Sequence, residues 1–414
     1  MKKPIKIPIT NAFDGSDYSA QILVGSKQTP ANVILDTGSS TLAVSPSVYS
    51  GIEDTHLKAT RHAQLVEYGT GGWAGPLVTT SLTMGVRGNK VFLRRVPVAI
   101  ADVQQRGNFT GVDGILGLAY NRLNGAYDFT SLLTNRGINP AVTYPWPFPS
   151  RNFGAWARRL GKVLSRMPKV YVTPYFDALE KNGTNANKFA FYTLRSLVSR
   201  RSSRASAVAR DPLNKGFFIL GGGEEQKDLY RGEFVAVRVL HDLFYNTNLK
   251  AVQVEGCAAG PALPLQAKYK ADQISNCIVD SGTSDLTLAA DVYSGVMMAL
   301  EKLNPRFIAL IARSKSNQTV PVSKLHLNSW PNINFILTGE KGEDVKLTCT
   351  PQTYWQVDFP AAGNAVFQIS GPLDAANQSI LGLPLMNNYF TVFDRSLDAK
   401  GVIRFAPIRR RSPA

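Results

Sequence analysis

Long stretches of helical periodicity are scarce in the hydrophobic pattern of this chain. Valine, isoleucine, threonine, tyrosine and phenylalanine are plentiful, and 34 glycines and 24 prolines are scattered among them. Branched and aromatic side chains favour strands, whereas glycine and proline mark the turns between strands. The pattern therefore predicts a mainly β protein.

Two short apolar runs each lead into an aspartate. Residues 33–35 (VIL) precede Asp36, and residues 277–279 (CIV) precede Asp280. An apolar run of this length that meets a turn signal predicts a buried strand running into a tight loop. A single aspartate at such a place usually serves a turn, but two in matched settings indicate a shared function.

The residues that follow each aspartate match as well. Gly38 and Gly282 stand two positions later, where the missing Cβ permits unusual backbone geometry and close approach of another chain. Ser39 and Thr283 come next, and each supplies a short hydroxyl that can hydrogen-bond the preceding carboxylate. Both loops therefore carry the same set of chemical groups.

A second pair of segments repeats in the same order. NVILDTGSSTL (32–42) is matched by NCIVDSGTSDL (276–286), and DGILGLAY (113–120) is matched by QSILGLPL (378–385). Two copies so far apart are typical of two similar lobes facing one another, because the period is too long for a solenoid.

The charge balance adds an alternative. Hydrophobic residues make up 44% and charged residues 18%, as in globular proteins, yet the formal net charge of +16 invites a nucleic-acid hypothesis. Many basic residues fall within 151–210, including the run SRRSSRASAVAR at 199–210. No stacking-aromatic motif or groove-reading helix accompanies them, so a solvated insertion is favoured over nucleic-acid binding.

Other features argue against membrane insertion and a disulfide framework. No apolar run approaches the roughly 18 residues of a membrane span, and the opening MKKPIKIPIT lacks the apolar stretch of a secretory signal. Since Met1 is present, we expect a cytoplasmic protein.

Three cysteines are too few for a disulfide framework, and the context NCIVDSG predicts that Cys277 is a buried structural thiol.

Two carboxylates in a partly dry cleft suit the hydrolysis of a peptide bond. Because both cannot comfortably ionise, the pair holds one shared proton. The ionised carboxylate takes a proton from water, which attacks the scissile carbonyl, while the protonated carboxyl donates to the carbonyl oxygen. This scheme needs no cofactor, no metal and no covalent nucleophile. None of the four histidines lies in a serine or cysteine nucleophile motif, and no HExxH motif occurs.

These residues carry a resemblance to the pepsin-like aspartic peptidases, in family order over roughly two-thirds of the chain. The matching segments are residues 17–50, 68–72, 112–120, 174–182, 217–239 and 380–394. The resemblance implies a bilobal acid-protease fold, with an active-site cleft between two pseudo-symmetric β-lobes at 1–195 and 196–414.

The resemblance also assigns catalytic roles. It implies that Asp36 and Asp280 are the catalytic pair, with hydroxyl groups bonded to their outer carboxylate oxygens. The supporting residues would be Ser39, Thr283, Gly38 and Gly282.

A substrate-binding flap is implied at 68–72. There Tyr68 would close over the substrate, and Gly69 and Thr70 would offer it backbone groups. In this family the substrate is a polypeptide in an extended conformation, bound as an added strand.

A pocket on the amino side of the scissile bond is implied as well. Ile34, Phe109 and Ile115 would line it and favour hydrophobic residues of the substrate. Ordinary core positions are an equally weighted alternative for these three side chains.

Some positions depart from the family pattern. The family usually has a tryptophan, bonded to the flap tyrosine, where Ala43 stands, and Trp73 either compensates or lies exposed on the hairpin to grip substrate. Asp285 either caps the following turn, which is the favoured interpretation, or changes the field at the catalytic pair. The disulfides of the family are unmatched, apart from a conceivable Cys257–Cys277 bridge.

Residues from about 138 to 172 form an insertion that is long for the family. Within it, YPWPFP predicts an extended aromatic segment and AWARRLGKVL predicts a basic helix. The insertion serves either as a partner or substrate contact or as surface decoration, and decoration is favoured.

From the position of Asp36 near the start of the sequence, we expect a protein without a propeptide. In this it resembles the bacterial cytoplasmic branch of the family, which implies a protein active as synthesised. The expected function is a monomeric aspartic endopeptidase with no membrane partner. The alternatives are a pepsin-fold binding module of weak activity and a protein that binds nucleic acid through residues 151–210.

Overall fold

The structure is a computed structural model. It describes residues 3–11, 18–68, 71–86, 88–105, 109, 111–148, 153–164, 166–182, 187–194, 216–316, 319–372, 377–396 and 400–409. Within these ranges most regular elements are strands, so the predicted mainly β class is confirmed. The predicted flap residues Gly69 and Thr70, and the basic run at 199–210, lie outside the described residues.

The chain divides into two compact units. The N-terminal unit comprises Ser19–Thr184, and the C-terminal unit comprises Met1–Tyr18 together with Asn185–Ala414. The lobe boundary at 195 stays a prediction. The first strand, β1 (Ile5–Asn11), lies with the C-terminal unit because it pairs antiparallel with Gly216–Leu220.

The strands of the N-terminal unit are hydrogen-bonded in the order β11-β10-β5-β6-β7-β4-β9-β3-β2, with β8 on β6 and a further pairing of β2 with β6. They are β2 (Tyr18–Val24), β3 (Thr29–Asp36), β4 (Leu42–Val44), β5 (Lys58–Tyr68), β6 (Gly71–Val86), β7 (Asn89–Ile100), β8 (Val103–Gln104), β9 (Gly114–Gly117), β10 (Gly125–Asp128) and β11 (Lys169–Tyr171). The helices are α1 (Thr130–Asn135), α2 (Phe153–Leu164) and α3 (Tyr175–Lys181), with a 3₁₀ turn at Asn121–Leu123.

The helix predicted from AWARRLGKVL is confirmed as α2, and it contributes to the core of the N-terminal unit. Ala157 is buried against Ala74 and Val103. Leu164 is buried against Phe129 in a second cluster. The aromatic segment before the helix packs there too, because the rings of Trp146 and Phe148 lie 6.0 and 5.8 Å from that of Phe129. The interpretation of the insertion as surface decoration is therefore wrong, because a segment that only covers the surface would leave these side chains exposed to solvent.

Among the described residues of the C-terminal unit, the paired strands form four groups. Their orders are β1-β13-β12-β27-β28-β14, β15-β18-β26-β19-β25, β17-β16-β21-β22 and β20-β24-β23. The strands are β12 (Lys188–Tyr192), β13 (Gly216–Leu220), β14 (Val235–Arg238), β15 (Asn246–Thr247), β16 (Leu249–Val254), β17 (Gly260–Pro261), β18 (Cys277–Val279), β19 (Leu286–Thr287), β20 (Val320–Pro321), β21 (Ile333–Thr338), β22 (Asp344–Cys349), β23 (Trp355–Val357), β24 (Asn364–Phe367), β25 (Ile369–Ser370), β26 (Ser379–Leu381), β27 (Tyr389–Asp394) and β28 (Val402–Pro407).

Helices of this unit are α4 (Ala290–Leu303), α5 (Pro305–Lys315), α6 (Pro351–Tyr354) and α7 (Leu383–Met386), with 3₁₀ turns at Ala267–Tyr269, Val322–Lys324 and Leu327–Ser329. The break between α4 and α5 follows from the sequence. Asn304 accepts a hydrogen bond from the backbone N–H of Arg306 at 3.0 Å, and Pro305 takes the first helical position, where its missing N–H costs nothing. No helix in the described part of the chain is long and apolar enough to cross a bilayer.

Candidate active site

Asp36 stands at the end of a buried strand in the N-terminal unit. Strand β3 runs parallel to β9, with Asp36 opposite Gly117, and β4 lies antiparallel on the other side of β9. Val33 and Leu35 are fully buried. The apolar run before the aspartate therefore forms the inner strand that the sequence predicted, and it fixes the place where the carboxylate leaves the sheet.

Each oxygen of the Asp36 carboxylate accepts a hydrogen bond from its own loop. The backbone N–H of Gly38 donates to Oδ1 at 2.7 Å, and the hydroxyl of Ser39 donates to Oδ2. The side chain is only 6% exposed. Donors two and three residues after the aspartate thus fix its rotamer from within a tight turn.

Asp280 has the same local environment in the C-terminal unit. The backbone N–H of Gly282 donates to Oδ1 at 2.8 Å, and the hydroxyl of Thr283 donates to Oδ2 at 2.6 Å. The residue is 7% exposed and directly follows β18. That strand runs parallel to β26, and β26 pairs antiparallel with β19, so the strand order around Asp36 is repeated.

A glycine of the neighbouring strand segment packs closely against the backbone of each aspartate loop. A Cβ placed on Gly117 would lie 2.4 Å from backbone atoms of Ser40, and one placed on Gly382 would lie 2.2 Å from the carbonyl oxygens of Thr283 and Asp285. Such distances are well inside van der Waals contact, so only glycine fits. Both glycines belong to the repeated Ile-Leu-Gly segments, which the family resemblance implies support the two aspartate loops.

The three residues proposed for a substrate pocket belong to one cluster of the N-terminal unit. Ile115 is buried within it, and Ile34 and Phe109 are partly buried at its edge. Ile115 is therefore a core residue, and the pocket role of Ile34 and Phe109 stays a prediction.

Trp73 and Ala43 lie in this same cluster. Trp73 is 0% exposed, so the alternative of an exposed tryptophan that grips substrate is wrong. The large side chain on β6 and the small one on β4 therefore belong to the same apolar cluster. That Trp73 compensates for the small side chain at position 43 stays a prediction.

The predicted flap corresponds to the end of the β5–β6 hairpin. Tyr68 ends β5 and is paired with Gly71 at the start of β6. The hairpin is therefore observed, and the role of Tyr68 over a substrate stays a prediction.

Asp285 is tied to neighbouring strands. Its carboxylate accepts hydrogen bonds from the hydroxyl of Ser370 at 2.5 Å and from the hydroxyl of Thr287 at 3.3 Å. Since β19 and β25 pair with Thr287 opposite Ser370, Asp285 joins the ends of two strands through their side chains. This is a local structural role close in kind to the predicted turn cap.

All three cysteines are free thiols, so the conceivable Cys257–Cys277 bridge is wrong. Cys277 is buried in β18, as predicted for a structural thiol. Burial raises its pKa, and that of the buried Cys349, to about 12. Neither thiol is available as a thiolate nucleophile at neutral pH.

Comparison with known proteins gives a family and distant relatives. The family described as eukaryotic aspartyl protease matches residues 17–139 and 169–407, which leaves most of the predicted insertion unmatched. A β-secretase from the sea urchin Strongylocentrotus purpuratus is 22% identical over 412 residues, covering 94% of this chain and 66% of that protein. Plasmepsin I of Plasmodium falciparum is 26% identical over 185 residues, covering 44% of this chain and 34% of that protein.

The chain therefore spans less than two thirds of the length of these relatives. Because they are eukaryotic, the expected kinship with a bacterial branch stays a prediction. The family match includes both aspartate loops, both Ile-Leu-Gly segments and the hairpin strands. With a duplicated carboxylate environment and a match over most of its length, this chain belongs to the eukaryotic aspartyl protease family, the pepsin-like aspartic proteases.

Proposed function

We propose that this protein is an aspartic endopeptidase in which Asp36 and Asp280 together activate one water molecule. The observation that carries the proposal is the duplicated environment. In each unit one carboxylate oxygen accepts a backbone N–H and the other accepts a hydroxyl, with Gly38 and Ser39 serving Asp36. A purely structural role would not require the two carboxylates to have the same environment, because each strand end could be stabilised independently of the other.

The proposed reaction divides the two carboxyl groups by protonation. Like charges close together disfavour a doubly ionised pair, so one proton is held between them. The ionised group removes a proton from water, and the water oxygen attacks the carbonyl carbon of the scissile bond. The protonated group donates its proton to the carbonyl oxygen, which gives a tetrahedral intermediate. The carbon–nitrogen bond then breaks as the amine takes the proton that the first carboxyl had removed from water, and the second carboxyl recovers its proton as the carbonyl re-forms.

The substrate is proposed to be a polypeptide in an extended conformation, with hydrophobic residues around the scissile bond. Extended peptides bind by adding a strand, so their backbone supplies affinity and pockets select side chains. Ile34 and Phe109 support the hydrophobic preference, because they are two of the partly exposed apolar side chains packed against a cluster that contains the buried Ile115.

The test is cleavage of a peptide library at acid and neutral pH, with and without the transition-state mimic pepstatin. Asp36→Asn and Asp280→Asn should each lower the cleavage rate by at least about a hundredfold, since each removes a general acid–base group. Asp344→Asn is the matched control, because that aspartate is exposed on β22 and should leave the rate unchanged.

Unfolding curves must accompany these rates, so that a lost fold is not mistaken for a lost function. Full activity of a folded Asp36→Asn protein would refute the proposed mechanism. Peptide binding without cleavage by the unaltered protein would favour a binding module instead.

A further inference from the structure

A basic cavity in the C-terminal unit has no part in the proposed peptidase chemistry. Its volume is about 580 Å³. It lies where the ends of β22 and β28 meet the start of β27. The lining residues are Arg231, Thr348, Thr350, Asn388, Tyr389, Pro407, Ile408 and Arg409.

The neutral polar groups of the wall are hydrogen-bonded to one another. The hydroxyl of Thr350 donates to Oδ1 of Asn388 at 2.8 Å, and Nδ2 of Asn388 donates to the carbonyl of Pro384 at 2.8 Å. The hydroxyl of Thr348 donates to Oδ1 of Asn334 at 2.7 Å. These side chains form a fixed wall, and their donors are already used.

Backbone pairing places the two arginines side by side. Tyr230 and Ile408 form an isolated antiparallel bridge. The N–H of Arg231 donates to the carbonyl of Pro407 at 3.0 Å, and the N–H of Arg409 donates to the carbonyl of Leu229 at 2.9 Å. Because Tyr230 and Ile408 are buried, the alternating arginines lie on the opposite, solvent-facing side. Neither guanidinium has a hydrogen-bond or ion-pair partner among the residues that the structure describes.

Tyr389 lies on the same wall as the arginines. Its hydroxyl accepts the N–H of Thr348 at 2.6 Å and is also hydrogen-bonded to the side chain of Thr348. The residue is only 9% exposed. Burial raises the pKa of this phenol, so it remains a donor at neutral pH.

We propose that this cavity is a binding site for an oxyanion, a carboxylate or phosphate group, whose attached apolar part rests on Pro407. The two guanidiniums are donors without a partner among the described residues, and no acidic residue lines the cavity. Guanidinium groups match the planar pair of oxygens that a carboxylate or phosphate presents.

Isothermal titration with three probes tests the proposal: inorganic phosphate, N-acetyl-leucine, and N-acetyl-leucine amide as the uncharged match. Either or both anions should bind, and the amide should not. Arg231→Gln and Arg409→Gln should each weaken anion binding about tenfold, the scale of one hydrogen bond to a charged group. Arg238→Gln is the control, because that arginine is exposed on β14 of the same unit.

The outcomes separate cleanly. Binding of phosphate alone identifies a phosphate ligand, and binding of N-acetyl-leucine alone identifies a carboxylate ligand. Absence of binding by both anions, equal binding of the amide, or an equal loss in Arg238→Gln would overturn the proposal. Tyr389→Phe is not used as a test variant, because it would also remove the acceptor of the Thr348 N–H. The two arginine variants therefore provide the test. Peptide cleavage should be unchanged in them, which separates this site from the proposed active site.

Discussion

Replacing Trp73 by alanine should destabilise the N-terminal unit strongly. Its indole is fully buried in the cluster that contains Ala43 and Ile115. A buried aromatic side chain removes about 150–250 Å² from water, worth about 4–6 kcal/mol at about 25 cal/mol per Å². Alanine retains part of that burial, so a loss of about 3–5 kcal/mol is expected, as for other Trp→Ala changes in cores.

The neighbouring alanine gives the prediction its sharper form. Ala43 is fully buried on β4, paired with Ile115 and Ala99, so Ala43→Trp alone forces an extra indole into filled space and costs at least about 1–3 kcal/mol. When Trp73→Ala has first emptied that space, the new side chain has room. The double variant should therefore lose less than the sum of the two single losses, by about 1–3 kcal/mol.

Equilibrium unfolding in urea measures the four free energies of this cycle. Trp355 is the matched control, because it is equally buried but lies in the C-terminal unit. Ala43→Trp combined with Trp355→Ala should show additive losses. Additive losses in the Ala43→Trp/Trp73→Ala variant would refute the claim that the two positions share one volume.

Three further outcomes follow from local geometry. Gly382→Ala should lower the melting temperature, because the added Cβ would lie 2.2 Å from two carbonyl oxygens. Gly295→Ala in α4 should raise the melting temperature, because its Cβ would meet nothing within 4 Å and alanine is the better helix former. Burial alone would raise the pKa of Asp54, but hydrogen bonds from two hydroxyls and two backbone amides outweigh it and lower the pKa from 3.8 to about 2. The stability that Asp54 contributes is therefore complete at a pH above 3.8 and is lost as the pH falls through about 2. In a plot of the urea midpoint of unfolding against pH, Asp54→Asn should therefore show a smaller decrease at acid pH than the unaltered protein. In the native protein a thiol reagent followed by mass spectrometry should modify the half-buried Cys257 and spare the two buried cysteines until the protein unfolds.

The sequence predicted the aspartate loops well because their geometry is local. The donors for Asp36 lie two and three residues away, and an apolar run directly before the carboxylate sets the strand. Those spacings are visible in a linear sequence. The glycine behind each loop is less visible, since its function depends on a segment far along the chain that packs against it.

Other features were beyond reach because their partners are distant in sequence. Trp73 is buried in a cluster whose members, Ala43 among them, come from strands that are distant in sequence. Strand β1 gives no sign of which strand it joins, and pairing with β13 places it in the C-terminal unit. Periodicity defines a strand's faces but not its neighbour.

The insertion shows how a segment outside the family match changes a family element. Residues 140–168 are unmatched, yet Ala157 on α2 is buried against Ala74 of β6 and Val103 of β8. Ala74 follows the hairpin end closely and pairs with Leu65 on the other hairpin strand. A cluster that spans both strands and the helix resists any motion that separates them, because packed interiors leave no void for displaced side chains. The stiffness of the hairpin in this protein therefore depends on residues that the family as a whole does not supply.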